Sequence, residues 1–79
     1  MTPRYYATVQ YQEGREVNNT EFNTLVHIAA SHEGSYKASS QKGGFVAFEF
    51  SDQENAERFK RQSQQLSEYI AGIKIAESQ

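Results

Sequence analysis

Phe45-Val46-Ala47-Phe48-Glu49-Phe50 decides the fold. Every position but Glu49 is aromatic or aliphatic, and so short a run of bulky apolar residues reads as the central strand of a sheet. Gly43 and Gly44 stand immediately before it and are expected to supply the positive φ angles of a tight hairpin. Immediately after it, Ser51 caps a helix and Glu54, three residues on, completes a capping box, with Asp52 favourably placed in the first turn.

Upstream of the hairpin, Ser35-Tyr36-Lys37-Ala38-Ser39-Ser40 is its first, weaker strand. Before that, Asn18 caps a helix over Asn19–His32: Glu21 reaches back in a capping box, Val17 and Phe22 form a hydrophobic staple, and Phe22, Leu25, Val26 and Ala29 recur at helical spacing. Gly34 is its expected C′ stop. Tyr5–Tyr11 alternates, with Tyr5, Ala7, Val9 and Tyr11 on one face and Tyr6, Thr8 and Gln10 on the other, and Glu13-Gly14 turns the chain toward the helix.

Downstream, Ala56, Phe59, Ser63 and Leu66 mark one face of a second helix over Asp52–Glu68. Its charges fall into Glu54–Arg58 and Glu57–Arg61 pairs, and Gln62–Gln65 is a solvated stretch within it. Ile70–Ala76 closes the chain as a strand with Ala71, Ile73 and Ile75 inward and Gly72, Lys74 and Ala76 outward. Strand, helix, strand, strand, helix, strand with right-handed crossovers fits an α+β split βαβ or ferredoxin-like sandwich: a four-stranded antiparallel sheet with both helices on one face.

A chain of 79 residues leaves room for one domain, residues 1–79, and no repeat or linker interrupts it. So small a domain buries only roughly 60–65% of the surface its unfolded chain exposes, which leaves little space for a deep active site. There is no cysteine, so a disulfide framework, a thiolate metal site and a cysteine nucleophile are all excluded. Met1-Thr2-Pro3-Arg4-Tyr5 has neither a basic nor an apolar leader region, and nothing approaches the roughly 18 apolar residues of a membrane span. The expectation is a soluble, cytoplasmic protein. Eight basic and ten acidic side chains give a net charge of −2, against a generic polyanion binder.

Helices on one face leave the other uncovered. Alternation puts Tyr6, Thr8, Gln10, Phe45, Ala47, Glu49 and Lys74 on that open side, together with Lys37 or Tyr36 according to the register of the second strand. Within Gln41–Phe48, the segment Gly44-Phe45-Val46-Ala47-Phe48 resembles the second half, Gly-Phe-Val-x-Phe, of the strand-three signature of the RNA-recognition-motif family. Gly43 departs from it where the family has another aromatic, and Gln41 where it has a basic residue. The resemblance implies that Phe45 stacks a base, with Tyr6 as the strand-one aromatic and Lys37, Lys42 and Lys74 meeting phosphates.

Other motifs read as structure. His27 and His32, five apart, stand about 140° apart around a helix and cannot share a metal ion. Ser31, Ser35, Ser39 and Ser40 lack a nucleophile elbow and an orienting carboxylate. Lys42-Gly43-Gly44 precedes a strand where a phosphate-binding loop would precede a helix. Asn18-Asn19-Thr20 matches a glycosylation sequon that serves more simply as a cap. Arg58, Lys60 and Arg61 form a solvated, salt-bridged helix face or a docking surface for an acidic protein. No catalytic group, metal ligand or cofactor site stands out.

The function these residues favour is a small non-catalytic interaction module that modulates a larger protein, as a monomer or homodimer, through the open face around Tyr6 and Phe45. The alternative is single-stranded RNA or DNA on the same face. A third reading is a small-ligand or enzyme role in a dimer, drawing on His27, His32 or Tyr11.

Overall fold

The computed structural model describes residues 3–78, so Met1 and Thr2 of the leader reading lie outside the described residues. The chain runs β1 (Arg4–Tyr11), α1 (Asn19–Ser31), β2 (Ser35–Ser40), β3 (Phe45–Phe50), α2 (Gln53–Ser63) and β4 (Ile70–Ser78). The four strands form one antiparallel sheet in the order β2-β3-β1-β4, with both helices on one face. This is the α+β ferredoxin-like arrangement. Pairing runs in register from Tyr5 opposite Phe50 to Gln10 opposite Phe45, and on the other side from Arg4 opposite Ser78 to Gln10 opposite Gly72; a bulge then sets Tyr11 opposite Ile70 and leaves Ala71 exposed, where simple alternation places it inward.

The core lies between sheet and helices. Val46, Phe48 and Phe50 of β3 and Ala7, Val9 and Tyr11 of β1 point into it against Leu25 and Ala29 of α1 and Ala56 and Phe59 of α2. Phe59 is the hub of its rings, 5.1 Å from Phe48 and 5.4 Å from Phe50 between centroids. Among the described residues Ser63 is the one buried side chain whose polar atom has no hydrogen-bond partner. A hydroxyl desolvated without a partner costs about 1–3 kcal/mol, and alanine is the better helix former. Ser63→Ala therefore raises the unfolding free energy by about 1 kcal/mol in urea titrations; an equal loss would mean the hydroxyl has a native partner.

The ends of the elements differ from the sequence reading in instructive ways. Asn18 caps α1 by accepting from the Glu21 N–H at 2.8 Å, but the Glu21 carboxylate does not return to it. It accepts instead from the Tyr11 hydroxyl at 2.5 Å, a stronger use for a charge than an exposed cap. At the other end of α1 the left-handed position belongs to Glu33 (φ 63°) and not to Gly34. Glu33 N–H donates to Ala30 O and Gly34 N–H to Ala29 O, the two bonds of a Schellman motif. Gly34 is required by space: a Cβ there would fall 2.3 Å from the Phe50 ring.

Asp52, not Ser51, caps α2, accepting from the Glu54 N–H at 2.8 Å; either residue has the chemistry, and the Asp52 geometry wins. The helix stops at Ser63, five residues before Glu68. Leu66 must fold back toward the core, and a turn through Ser67 carries the chain into β4. Only the first of the two expected ion pairs forms, Glu54 with Arg58 at 2.6 Å. An exposed Glu57–Arg61 pair would gain no more than about 0.5 kcal/mol, too little to hold two long side chains together.

In the β2–β3 hairpin only Gly44 has a positive φ (68°); Gly43 does not. The turn is a four-residue loop in which Gly44 N–H donates to Gln41 O and Gly43 N–H to Ser40 Oγ, so one glycine suffices. Gly44 also lies so close to the chain after β1 that a Cβ would stand 2.8 Å from the Arg15 carbonyl oxygen.

Candidate functional site

The uncovered face of the sheet is built by parity. Because Ala7, Val9, Val46, Phe48 and Ile73 are buried under the helices, their neighbours along each strand must point the other way. Cross-strand pairing then arranges the open side chains in rows. The first row is Ser40, Phe45, Gln10 and Gly72; the second Ala38, Ala47, Thr8 and Lys74; the third Ser35, Glu49, Tyr6 and Ala76. Arg4 stands beyond the third row and pairs with Glu49 at 3.2 Å.

β2 settles the register question through a bulge. Tyr36 is opposite Phe48 and Ala38 opposite Ala47, which leaves Lys37 as the extra residue. Tyr36 consequently turns to the helix side, edge-on to Phe22 and Phe48, and Lys37 reaches the open face, its ammonium 5.9 Å from the centre of the Tyr6 ring. At that distance the cation lies within the range of attraction to the ring face.

The expected site residues therefore share one surface but do not play equal parts. Tyr6, Thr8, Phe45, Ala47 and Glu49 are half-buried, and Lys37 and Lys74 are exposed. Gln10 is tied down: its Nε2 donates to the carbonyls of Gly43 (3.2 Å) and Gly44 (3.1 Å), so it fastens β1 to the hairpin. Tyr6 and Phe45 are two rows and one strand apart, about 14 Å by strand geometry. Small side chains, Thr8, Ala47 and Ala38, floor the space between them. Lys42 is exposed in the hairpin, and Arg58, Lys60 and Arg61 lie on α2, away from this face.

Two features escaped the sequence. A cleft of about 150 Å³ opens between the start of α1 and the hairpin, lined by Val17, Asn19, Phe22, Ser39, Gln41, Phe45 and Val46. The Val17–Phe22 staple was its visible half; the strand side is joined to it only by the fold. Arg15 stacks on the exposed Tyr69, 3.9 Å from the ring centre, linking two loops far apart in the chain.

No protein-family model and no curated protein matches this chain. Among the described residues no three His, Asp or Glu side chains are grouped to hold a metal ion, and no helix is long and apolar enough to cross a membrane.

The residues of the small-ligand reading are not brought together. His27 is exposed on α1, and His32, at its C-cap, bonds through Nε2 with Gln62 Oε1 at 2.9 Å. Tyr11 meets α1 at Glu21, near the other end, about 16 Å from His32 along the helix. Burial, then the hydrogen bond to Glu21 and its charge, push the Tyr11 hydroxyl well above the ordinary tyrosine range. Because the fold favours the protonated phenol, its contribution to stability is complete below about pH 10 and is lost as the pH rises through the folded value. Alkaline titration monitored by circular dichroism should show stability falling above about pH 10, with a smaller fall in Tyr11→Phe; equal slopes would contradict the assignment.

Proposed function

We propose that the protein is a non-catalytic interaction module that modulates a larger protein, and that its working surface is the open face of the sheet. The observation that carries this reading is the face itself: Tyr6 and Phe45 stand half-buried on either side of a floor of Thr8, Ala47 and Ala38, with no helix or strand of the described residues packed over them. Aromatic anchors beside a shallow, small-residue floor and a charged rim match the anatomy of protein interfaces. A second copy could cover the face, at the expense of bringing Lys37 and Lys74 against their own kind.

Single-stranded nucleic acid is the competing occupant, supported by Phe45 at the strand-three position of the RNA-recognition-motif signature. Against it stand the roughly 14 Å between the strand positions that carry the two rings, wider than the step between neighbouring stacked bases, and the Lys37 ammonium beside the Tyr6 ring.

The test is affinity capture from lysate of the source cells, with and without nuclease, comparing the wild type with Tyr6→Ala/Phe45→Ala. Both rings are half-exposed, so the double variant stays folded, losing about 1–3 kcal/mol. A protein retained by the wild type after nuclease and lost by the variant is the expected result. Recovery of nucleic acid, or of proteins only through it, would replace this reading with the competing one.

A further inference from the structure

We infer that the partner segment seated on the open face is an acidic stretch of polypeptide lying crosswise over the strands between Lys37 and Lys74. This rests on the interaction-module reading and adds the chemistry of the partner. The chain as a whole carries a net charge of −2. On the open face the balance is reversed: Arg4, Lys37 and Lys74 meet one carboxylate, Glu49, so the acidic excess lies elsewhere on the molecule.

Glu49 is already engaged by Arg4 at 3.2 Å. Neither lysine has a carboxylate in salt-bridge range among the described residues. Lys37 is anchored on the β2 edge of the sheet and Lys74 on the β4 edge, and the Lys37 ammonium reaches inward toward the Tyr6 ring of β1, the strand beside β4. The surface between them is uncharged and low, with Ala47 and Thr8 side by side in the row that ends at Lys74.

An extended segment rises about 3.3 Å per residue and turns alternate side chains to one face, so carboxylates on that face can meet both ammonium groups. The side chains between them would rest on the methyl-bearing floor, with Tyr6 flanking them. Complementary charge of this kind steers encounter and fixes register, and it sets an ionic-strength dependence. A second copy placed face to face would oppose like charges, and a base would have to displace Lys37 from Tyr6.

The experiment is selection of a displayed library of random linear peptides on the immobilised wild-type protein. Retained peptides are then measured by fluorescence anisotropy against Lys37→Glu/Lys74→Glu and Tyr6→Ala/Phe45→Ala, with oligo(dT) as a competing probe. Both lysines are exposed, so charge reversal leaves the fold intact, which melting curves verify. The expected result is enrichment in Asp and Glu, with affinity that falls as salt rises and drops about tenfold or more on charge reversal.

Retained peptides without acidic enrichment, or bound equally after charge reversal, overturn the inference, as does a failure to retain any peptide or tighter binding of oligo(dT). The two levels separate cleanly. Neutral peptides that still require Tyr6 and Phe45 refute the acidic partner and leave the face standing, whereas peptides indifferent to both rings refute the face as well.

Discussion

Phe59→Ala lowers the unfolding free energy by about 3–5 kcal/mol, which is the usual loss for a buried phenylalanine. A chain of this length holds only roughly 4–12 kcal/mol in all, so the variant is at or near the edge of folding at 25 °C. The reason is position. Phe59 is fully buried and is the ring through which α2 touches both Phe48 and Phe50 of β3, so its removal leaves a void bounded by a rigid sheet. Urea titration followed by circular dichroism measures the loss. A decrease below about 1.5 kcal/mol would mean that the neighbouring rings collapse into the space, and that the core is less jammed than its geometry implies.

The junction between α1 and β2 makes the second large prediction, because the ordinary rule for helix ends points to the wrong residue. Gly34→Ala forces a methyl group against three atoms of the Phe50 ring, the nearest at 2.3 Å, and Phe50 is itself 1% exposed and held by Phe59. Overpacking of this kind costs about 1–3 kcal/mol. At about 2 kcal/mol the melting temperature falls by roughly 8–16 °C. Glu33→Gly should act in the opposite sense, gaining about 0.5–1 kcal/mol by relieving a non-glycine residue of a left-handed backbone. Melting shifts of the same sign for the two variants would contradict this account of the turn.

Positions 33 and 34 show where the sequence was legible and where it was not. The period of two in Tyr5–Tyr11 and Ile70–Ala76 and the helical spacing of Phe22, Leu25 and Ala29 are local signals, and they identified the elements, the sheet and its open side. A glycine after a helix is also a local signal, but whether it serves dihedral freedom or clearance depends on Phe50, sixteen residues away. The end of α2 was hidden because Gln62–Gln65 are acceptable helix residues; the helix ends where Leu66 is drawn toward the core, not where propensity fails.

The same division runs through the candidate site. Tyr6 and Phe45 were assigned to one face by parity alone. Their separation, with Thr8 and Ala47 between, required the register of β1 against β3. Lys37 could not be distinguished from Tyr36 because a bulge belongs to a pair of strands and leaves no mark on either one. Tyr11 was read correctly as inward, but its bond to Glu21 converts what looked like half a capping box into a link between sheet and helix.

The central claim is that the open sheet face is where a protein partner binds. Site-specific photocrosslinking tests it most directly, with benzoylphenylalanine introduced in turn at Phe45, at Tyr6 and at the exposed Arg61 of α2, and irradiation in the source cells. The account predicts protein adducts of one defined mass from Phe45 and Tyr6, and none from Arg61. Adducts from Arg61 with the sheet positions silent would contradict it.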